Sequence, residues 1–476
     1  MSNAYYTYRI RLANYGSVKV EKRDLNNQSL GDPEGKFGYA NELRQTIDKL
    51  VIEAQADALT DDEPVKALGE ALFDALFDDG LRQDFVGFYQ QVVVTEDRIL
   101  RIELDVDEAS MPEVAALPWE FMRVPSKANL GVLWLGTTPK VVFSRRRAQW
   151  FPAKPIQLAP NEKLRIALAV AAPSDLGPVL YDKVEASLKT LAAEQSDKFE
   201  LLPVLLKANA ETVDGLLAKK PHIFHFIGHG RFNTENHTPK AEIAFVDDIL
   251  GESDWVDSEF FAGLFNTFRP GVVLLHACEG GTLSASQAFV GVASRVVQQN
   301  IPVVVAMQYE VTNNTALRFA LKFYQQLAAG DPVDMAAQYG RRVIALNTQY
   351  KRRDFATPLL FMRVVDGYLF ARAGGNNTPV TPNPKTALIE VPPAPATLTL
   401  PQVASLGRAI KENFSDEELR IFSASIGVDY DDLNGGTLSL KAQEFANHCR
   451  RHGKISDLWQ GLYTARQSVD WAAALT

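Results

Sequence analysis

From Leu164 to Ala306 the chain alternates short apolar runs with segments of helical spacing, and no other feature constrains its fold as strongly. The runs Leu164–Ala171, Phe199–Leu206, Ile223–Ile227, Val272–Leu275 and Val303–Ala306 read as strands. Helices are expected near 181–194, 209–219, 257–267 and 284–298, followed by two more near 312–329 and 333–346 and a last strand at Leu359–Arg363. Strands that alternate with helices imply a parallel sheet covered on both faces, and so an α/β fold. The runs are predominantly apolar, as strands buried on both faces are.

Two of these strands break into glycine and chemistry. Phe224-His225-Phe226-Ile227-Gly228-His229-Gly230 puts a histidine just past its strand, and Leu274-Leu275-His276-Ala277-Cys278-Glu279-Gly280-Gly281 does the same for a cysteine. Reactive groups gather outside the carboxyl ends of strands in an open parallel sheet. If the two strands are neighbours, His229 and Cys278 sit side by side. An imidazole that takes the thiol proton makes cysteine a competent nucleophile. The backbone N–H groups of Gly230 and Cys278 are placed to hold an oxyanion. The expected catalytic pair is therefore His229 and Cys278.

The cysteine follows the histidine by about 50 residues, and His276-Ala277-Cys278-Glu279-Gly280 agrees with the caspase signature at all but its first position. It is also close to the Glu-Ala-Cys-Glu-Ser-Gly pattern of legumains. With Leu117-Pro118-Trp119-Glu120 upstream, the chain resembles the CHAT family of caspase-like cysteine peptidases of bacteria over roughly residues 60–372. The resemblance implies a caspase-like parallel-sheet sandwich with a non-catalytic half at residues 1–155, and a peptidase domain at 156–372. It implies a protein substrate, no cofactor, and a role as an effector of defence or self-killing. In caspases and legumains the position of His276 lines the pocket for the residue before the cut. Histidine is a departure there, and Glu310 and Asp254 are candidates to lend that pocket negative charge for a basic side chain. The simplest role for Trp119, in the Leu-Pro-Trp-Glu stretch, is a core residue at a helix start with Pro118 near the first position.

Composition narrows the class further. Hydrophobic residues make up 46% and charged residues 22% of 476, ordinary for a globular protein, and the length suggests two to four domains. A net charge of −9 argues against a direct nucleic-acid binder, whose footprint is basic. No apolar run reaches the roughly 20 residues of a membrane span, and no signal peptide opens the chain. Two cysteines, Cys278 and Cys449, make no disulfide framework, so a reducing cytoplasm is the expected compartment.

Upstream, residues 5–22 read as two strands, 26–36 as a loop, 40–56 and 65–79 as helices and 98–106 as a strand. Downstream, residues 373–398 carry six prolines after Gly374-Gly375-Asn376-Asn377 and read as an extended, exposed linker. Residues 399–476 read as a small all-α domain of about six short helices. Ser415-Asp416-Glu417-Glu418 is a capping box, and Gly453 stops the helix that ends in the basic run up to His452. The run Ile426–Leu433, with Arg450-Arg451-His452-Gly453 and Trp471, resembles bacterial effector-associated domains, death-like adaptor modules that pair with like modules. The implied partner is an adaptor or sensor protein bearing such a module.

Other chemistries fit less well. Five of seven histidines lie between 222 and 276, but His222 and His225 fall on opposite faces of a strand and His237 lies in a polar loop, so no metal site is expected. A phosphatase loop needs an arginine after the cysteine, and Glu279 through Ser286 has none. Gly280-Gly281-Thr282 lacks the lysine and spacing of a phosphate loop. Cys449, in mid-helix, reads as an inert buried thiol. The competing reading is a catalytically inert scaffold that works through its helical domain alone.

Overall fold

The structure is a computed structural model that describes residues 5–108, 110–128, 130–146, 153–233, 240–277, 283–309, 313–365, 367–372, 394–395, 397–414, 416–426, 428–465, 469 and 471–475. The chain divides into two compact units, Met1–Pro379 and Val380–Thr476.

In the first unit the strands are β1 (Tyr6–Leu12), β2 (Ser17–Arg23), β3 (Ser29–Gly31), β4 (Glu34–Lys36), β5 (Leu100–Val106), β6 (Val141–Arg146), β7 (Ile156–Leu158), β8 (Leu164–Val170) and β9 (Phe199–Leu201). There follow β10 (Ile223–Gly228), β11 (Gly230–Asn233), β12 (Lys240–Val246), β13 (Ser253–Asp257), β14 (Val272–Ala277), β15 (Val303–Met307), β16 (Pro358–Met362) and β17 (Phe370–Arg372). One sheet runs in the order β3-β2-β1-β5-β6-β16-β15-β14-β10-β8-β9, with β4 beside β2. From β15 to β9 every pairing is parallel, and from β1 to β16 likewise, but β15 and β16 pair antiparallel. The sheet is thus two parallel halves of opposite direction. The residues before 155 continue the sheet edge to edge through the β6–β16 pairing.

The alternation of residues along the strands explains the layers. Ile223, Ile227, Val272, Leu274, Val303 and Val305 bury one face, with Phe319, Phe323 and Tyr324 of the Asn313–Ala329 helix in the same core. Phe224, Phe226, Val273, Leu275, Val304 and Ala306 bury the other, with Phe261, Phe289 and Val292 of the Ser258–Leu264 and Leu283–Gln298 helices. Because both faces are covered, the strands carry apolar residues at most positions of either parity. The expected helices appear at Asp182–Glu194, Ala210–Leu217, Ser258–Leu264, Leu283–Gln298, Asn313–Ala329 and Val333–Thr348. An antiparallel sheet β11-β12-β13, not foreseen from the sequence, follows the His229 strand directly.

The second unit contains helices Leu400–Asn413, Asp416–Ser425, Leu438–Arg451 and Ile455–Ala465 and a short turn of helix at Ala473–Leu475, fewer than the six expected, among the described residues. Its own core includes Leu406, Phe422, Phe445, Cys449, Leu458 and Trp471. Gly407 is where the first and third helices cross, and a Cβ there would meet Gln443 Cα at 2.6 Å. Gly453 takes φ +69° as the helix stop, and the Lys454 N–H closes the turn on the Cys449 carbonyl at 2.9 Å. Most of the expected linker lies outside the described residues, as does Ser415. Leu398, at the linker's end, is buried in the helical core rather than exposed.

Candidate functional site

The strands expected to carry the chemistry are neighbours. β10 and β14 pair in parallel from Ile223↔Val272 to Gly228↔Ala277. Histidine 229 and Cys278 are the residues that follow this last register pair, and Cys278 lies outside the described residues. So do Glu279 through Thr282, and Glu310. The carboxyl ends of β8, β10, β14 and β15 share one edge of the sheet, which is where a doubly covered parallel sheet presents its ligands.

Histidine 229 is buried at 7% exposure, between two strands that fix its backbone. Its carbonyl accepts the Ala244 N–H at 3.0 Å, and Gly230 opens β11 opposite Ile243. Gly228 leaves no room for a side chain, since a Cβ would stand 2.9 Å from the Phe226 ring. The imidazole Nε2 lies 2.8 Å from the Gly177 carbonyl, in the loop after β8. A carbonyl can only accept, so Nε2 carries the proton and Nδ1 is the basic nitrogen of the neutral ring.

The proposed pocket residues are not brought together among the described residues. Asp254 is an exposed residue of β13, opposite Phe245 of β12. Histidine 276 has no exposed surface, and its ring lies 6.0 Å from that of His225, centroid to centroid. Neither of its nitrogens has a hydrogen-bond partner among the described residues, whereas His225 Nδ1 sits 3.0 Å from the Tyr324 hydroxyl. Burial lowers the His276 ring from its ordinary 6.5 to about 4, and burial together with His276 holds His225 well below its usual range. Both rings are neutral at pH 7.

Of the remaining histidines, His222 accepts the Arg165 N–H at 3.0 Å, and His237 lies outside the described residues. No group of three or more histidine, cysteine or acidic side chains is placed to hold a metal among the described residues. None of the described helices is long and apolar enough to cross a membrane. Cys449 has no exposed surface, and burial pushes its thiol up to about 12.

The Leu-Pro-Trp-Glu stretch forms a turn of 3-10 helix at Trp119–Phe121. Trp119 is buried and donates its indole N–H to the Val114 carbonyl at 2.9 Å. Glu120, with no exposed surface, accepts two bonds from Arg145 at 2.9 and 2.6 Å and one from Gln308 Nε2 at 2.9 Å. Burial alone would raise the Glu120 carboxyl, but Arg145 and then Arg341 outweigh it and hold it below the ordinary glutamate range. Gln308 is the residue after β15, so this motif of the first parallel half grips a strand end of the second. Sequence reasoning missed that partnership because Arg145 and Gln308 are 25 and 188 residues away from Glu120 in the chain. It also missed Gly177, although Pro173-Ser174-Asp175-Leu176-Gly177 after β8 is a dense cluster of turn formers.

Comparison with known proteins supplies the class. The family model of the CHAT domain matches residues 66–472, beyond the end at 372 that the sequence motifs suggest. The chain belongs to the CHAT domain family, and its fold is the mixed α/β, mostly parallel sheet expected of a caspase-like cysteine peptidase. Solved structures similar to it include a separase–securin complex of Saccharomyces cerevisiae, 11% identical with a TM-score of 0.42 over 75% of this chain. The match covers 30% of that separase, so this chain corresponds to about a third of its length. The Arg-specific cysteine proteinase gingipain R is 9% identical, with a TM-score of 0.37, over 70% of this chain and 76% of its own. A complex of the pro- and mature domains of the Porphyromonas gingivalis enzyme is 10% identical, with a TM-score of 0.37, over 63% of this chain and 72% of its own. No curated protein matches.

Proposed function

We propose that the chain is a cysteine endopeptidase whose reacting pair is Cys278 and His229. The observation that carries this reading is the register pair Gly228↔Ala277, after which each strand delivers one of the two residues. Adjacent strands lie about 4.8 Å apart, within reach of a side-chain hydrogen bond. With Nε2–H committed to Gly177, Nδ1 of His229 receives the thiol proton. The thiolate attacks the scissile carbonyl, and N–H groups of Gly230 and Cys278 hold the oxyanion. The imidazolium then protonates the leaving amine, and water hydrolyses the thioester. None of these steps calls for a cofactor. The natural context we propose is the cytoplasm of a bacterium, where the enzyme acts as a defence or self-killing effector. There the helical unit recruits it to an adaptor or sensor carrying a matching module.

Labelling with iodoacetamide tests the pair without knowledge of the substrate. Cys278 should alkylate at least a hundredfold faster than Cys449 at pH 7, since only a thiolate reacts and the Cys449 thiol is pushed up to about 12. His229→Ala should remove most of that advantage, and Cys278→Ala should abolish cleavage of any peptide the wild type cuts. Equal labelling of the two thiols would return the chain to the scaffold reading.

A further inference from the structure

The loop after β8 holds the proton-bearing nitrogen of His229, yet between the buried Pro173 and Val179 packing does little to hold it. Ser174, Asp175 and Gly177 are exposed, and no heavy atom stands within 4 Å of where a Cβ of Gly177 would lie, among the described residues. What fixes it is a polar clamp to the turn between β12 and β13. The Asp175 carboxylate accepts the Ser253 N–H through Oδ1 and the Ser253 hydroxyl through Oδ2, each at 2.7 Å. The Ser174 N–H and hydroxyl both donate to the Gly251 carbonyl, at 2.9 and 3.1 Å. The turn is itself rigid. Asp247 Oδ1 accepts the N–H groups of Ile249 and Leu250, and Gly251 adopts φ +72°.

Resting on the dyad reading above, we propose that Asp175 is a positioning residue for His229. Its two bonds to Ser253 set the loop so that the Gly177 carbonyl meets Nε2 at 2.8 Å, which fixes the tautomer and makes Nδ1 the nitrogen that takes a proton. The Ser253 bonds are the largest cause holding the Asp175 carboxyl low, so the clamp is made by the carboxylate. The acid therefore acts on the histidine through a backbone carbonyl, without touching it.

The test uses the full chain and the pH dependence of iodoacetamide labelling at Cys278, read by peptide mapping. Asp175→Ala should slow labelling by about tenfold to a hundredfold, the scale of a slightly misplaced catalytic group. Asp175→Asn preserves the clamp, because its carbonyl accepts from the Ser253 N–H and its amide donates to the Ser253 hydroxyl. It should restore a rate near wild type at every pH. Ile249→Ala, at a side chain 91% exposed in the same turn, should leave the rate unchanged. Circular dichroism and melting temperature of each variant should match wild type, since Asp175 lies at the surface. Fast labelling in the wild type with an Asp175→Ala rate and profile identical to it would overturn the positioning role and leave the dyad standing. Slow labelling in the wild type would overturn both.

Discussion

At the scale of single residues, the two histidines on the strands of the site divide the work by environment. His229 is anchored by a carbonyl on one nitrogen, whereas His276 is buried with no partner on either among the described residues. A buried ring held at about 4 makes stability depend on pH in a definite direction. The folded His276 stays neutral while the unfolded chain takes up a proton near its ordinary 6.5. Its contribution is therefore complete above about pH 6.5 and is lost as pH falls toward about 4, by on the order of 3 kcal/mol in all. His225, also held low, extends the loss to still more acidic conditions. Urea unfolding at pH 7 and pH 4.5 measures this directly. The His276→Leu variant should lose about 2 kcal/mol less than wild type between the two. An identical loss would place the proton uptake elsewhere. This residue also shows what strand alternation conceals. Placing His276 in a substrate pocket followed from its spacing to Cys278, but the face on which it stands belongs to the interior shared with Tyr324.

At the scale of elements, the strand–helix alternation after Leu164 was legible because both faces of the sheet are covered, so composition and period agree. The β11-β12-β13 sheet was not. Ser253-Asp254-Trp255-Val256-Asp257 is a mixed, half-exposed run, and the segment before β12 reads as a polar loop. The expected Phe199–Leu206 strand is interrupted after Leu201 near Pro203, which can donate no bond, and meets β8 again at the Ala169↔Leu205 bridge. The strand at Val141–Arg146 went unread because its later half, Ser-Arg-Arg, is polar, and its arginines are neutralised by residues far away in the chain. One of these pairs, Arg145 with Glu120, lies within the first half, and Gln308 of the second makes the joint by donating to the Glu120 carboxylate. Removing one partner of a buried pair leaves the other charge uncompensated, at a cost of about 3–5 kcal/mol. Glu120→Ala should lower stability on that scale in urea unfolding. Glu120→Leu combined with Arg145→Leu should recover part of the loss, since no charge is then stranded. Equal losses in the single and double variants would mean that packing, and not charge, carries the joint.

At the scale of the whole molecule, two cores point to two jobs. The helical unit has its own buried centre around Phe422, Phe445 and Trp471, and its helices begin and end on their own caps, Thr399, Thr437 and Gly453. Such a unit has no need of the peptidase in order to fold, and residues 394–476 alone should give a helical circular dichroism spectrum with cooperative unfolding. None of its described residues enters the proposed proton transfers, and under the recruitment reading proposed above its role is to bring copies or partners together. Tethering raises the effective concentration of an attached enzyme to the millimolar range. Deleting residues 376–476 should spare the iodoacetamide reactivity of Cys278, yet abolish activity in cells where a partner must recruit the enzyme. The charges available to a partner can be sorted by what they already hold. Asp431 is engaged by Arg420 at 2.8 Å, Arg451 by Glu444, and Asp429 accepts the Asp431 N–H at 2.9 Å, whereas Asp432 is exposed beside them. Reversing Asp432 to lysine should reproduce the cellular loss without unfolding the unit, because it removes charge a partner meets and leaves the internal pairs intact. Full cellular activity of the truncated chain under the natural trigger would show that recruitment does not run through this unit.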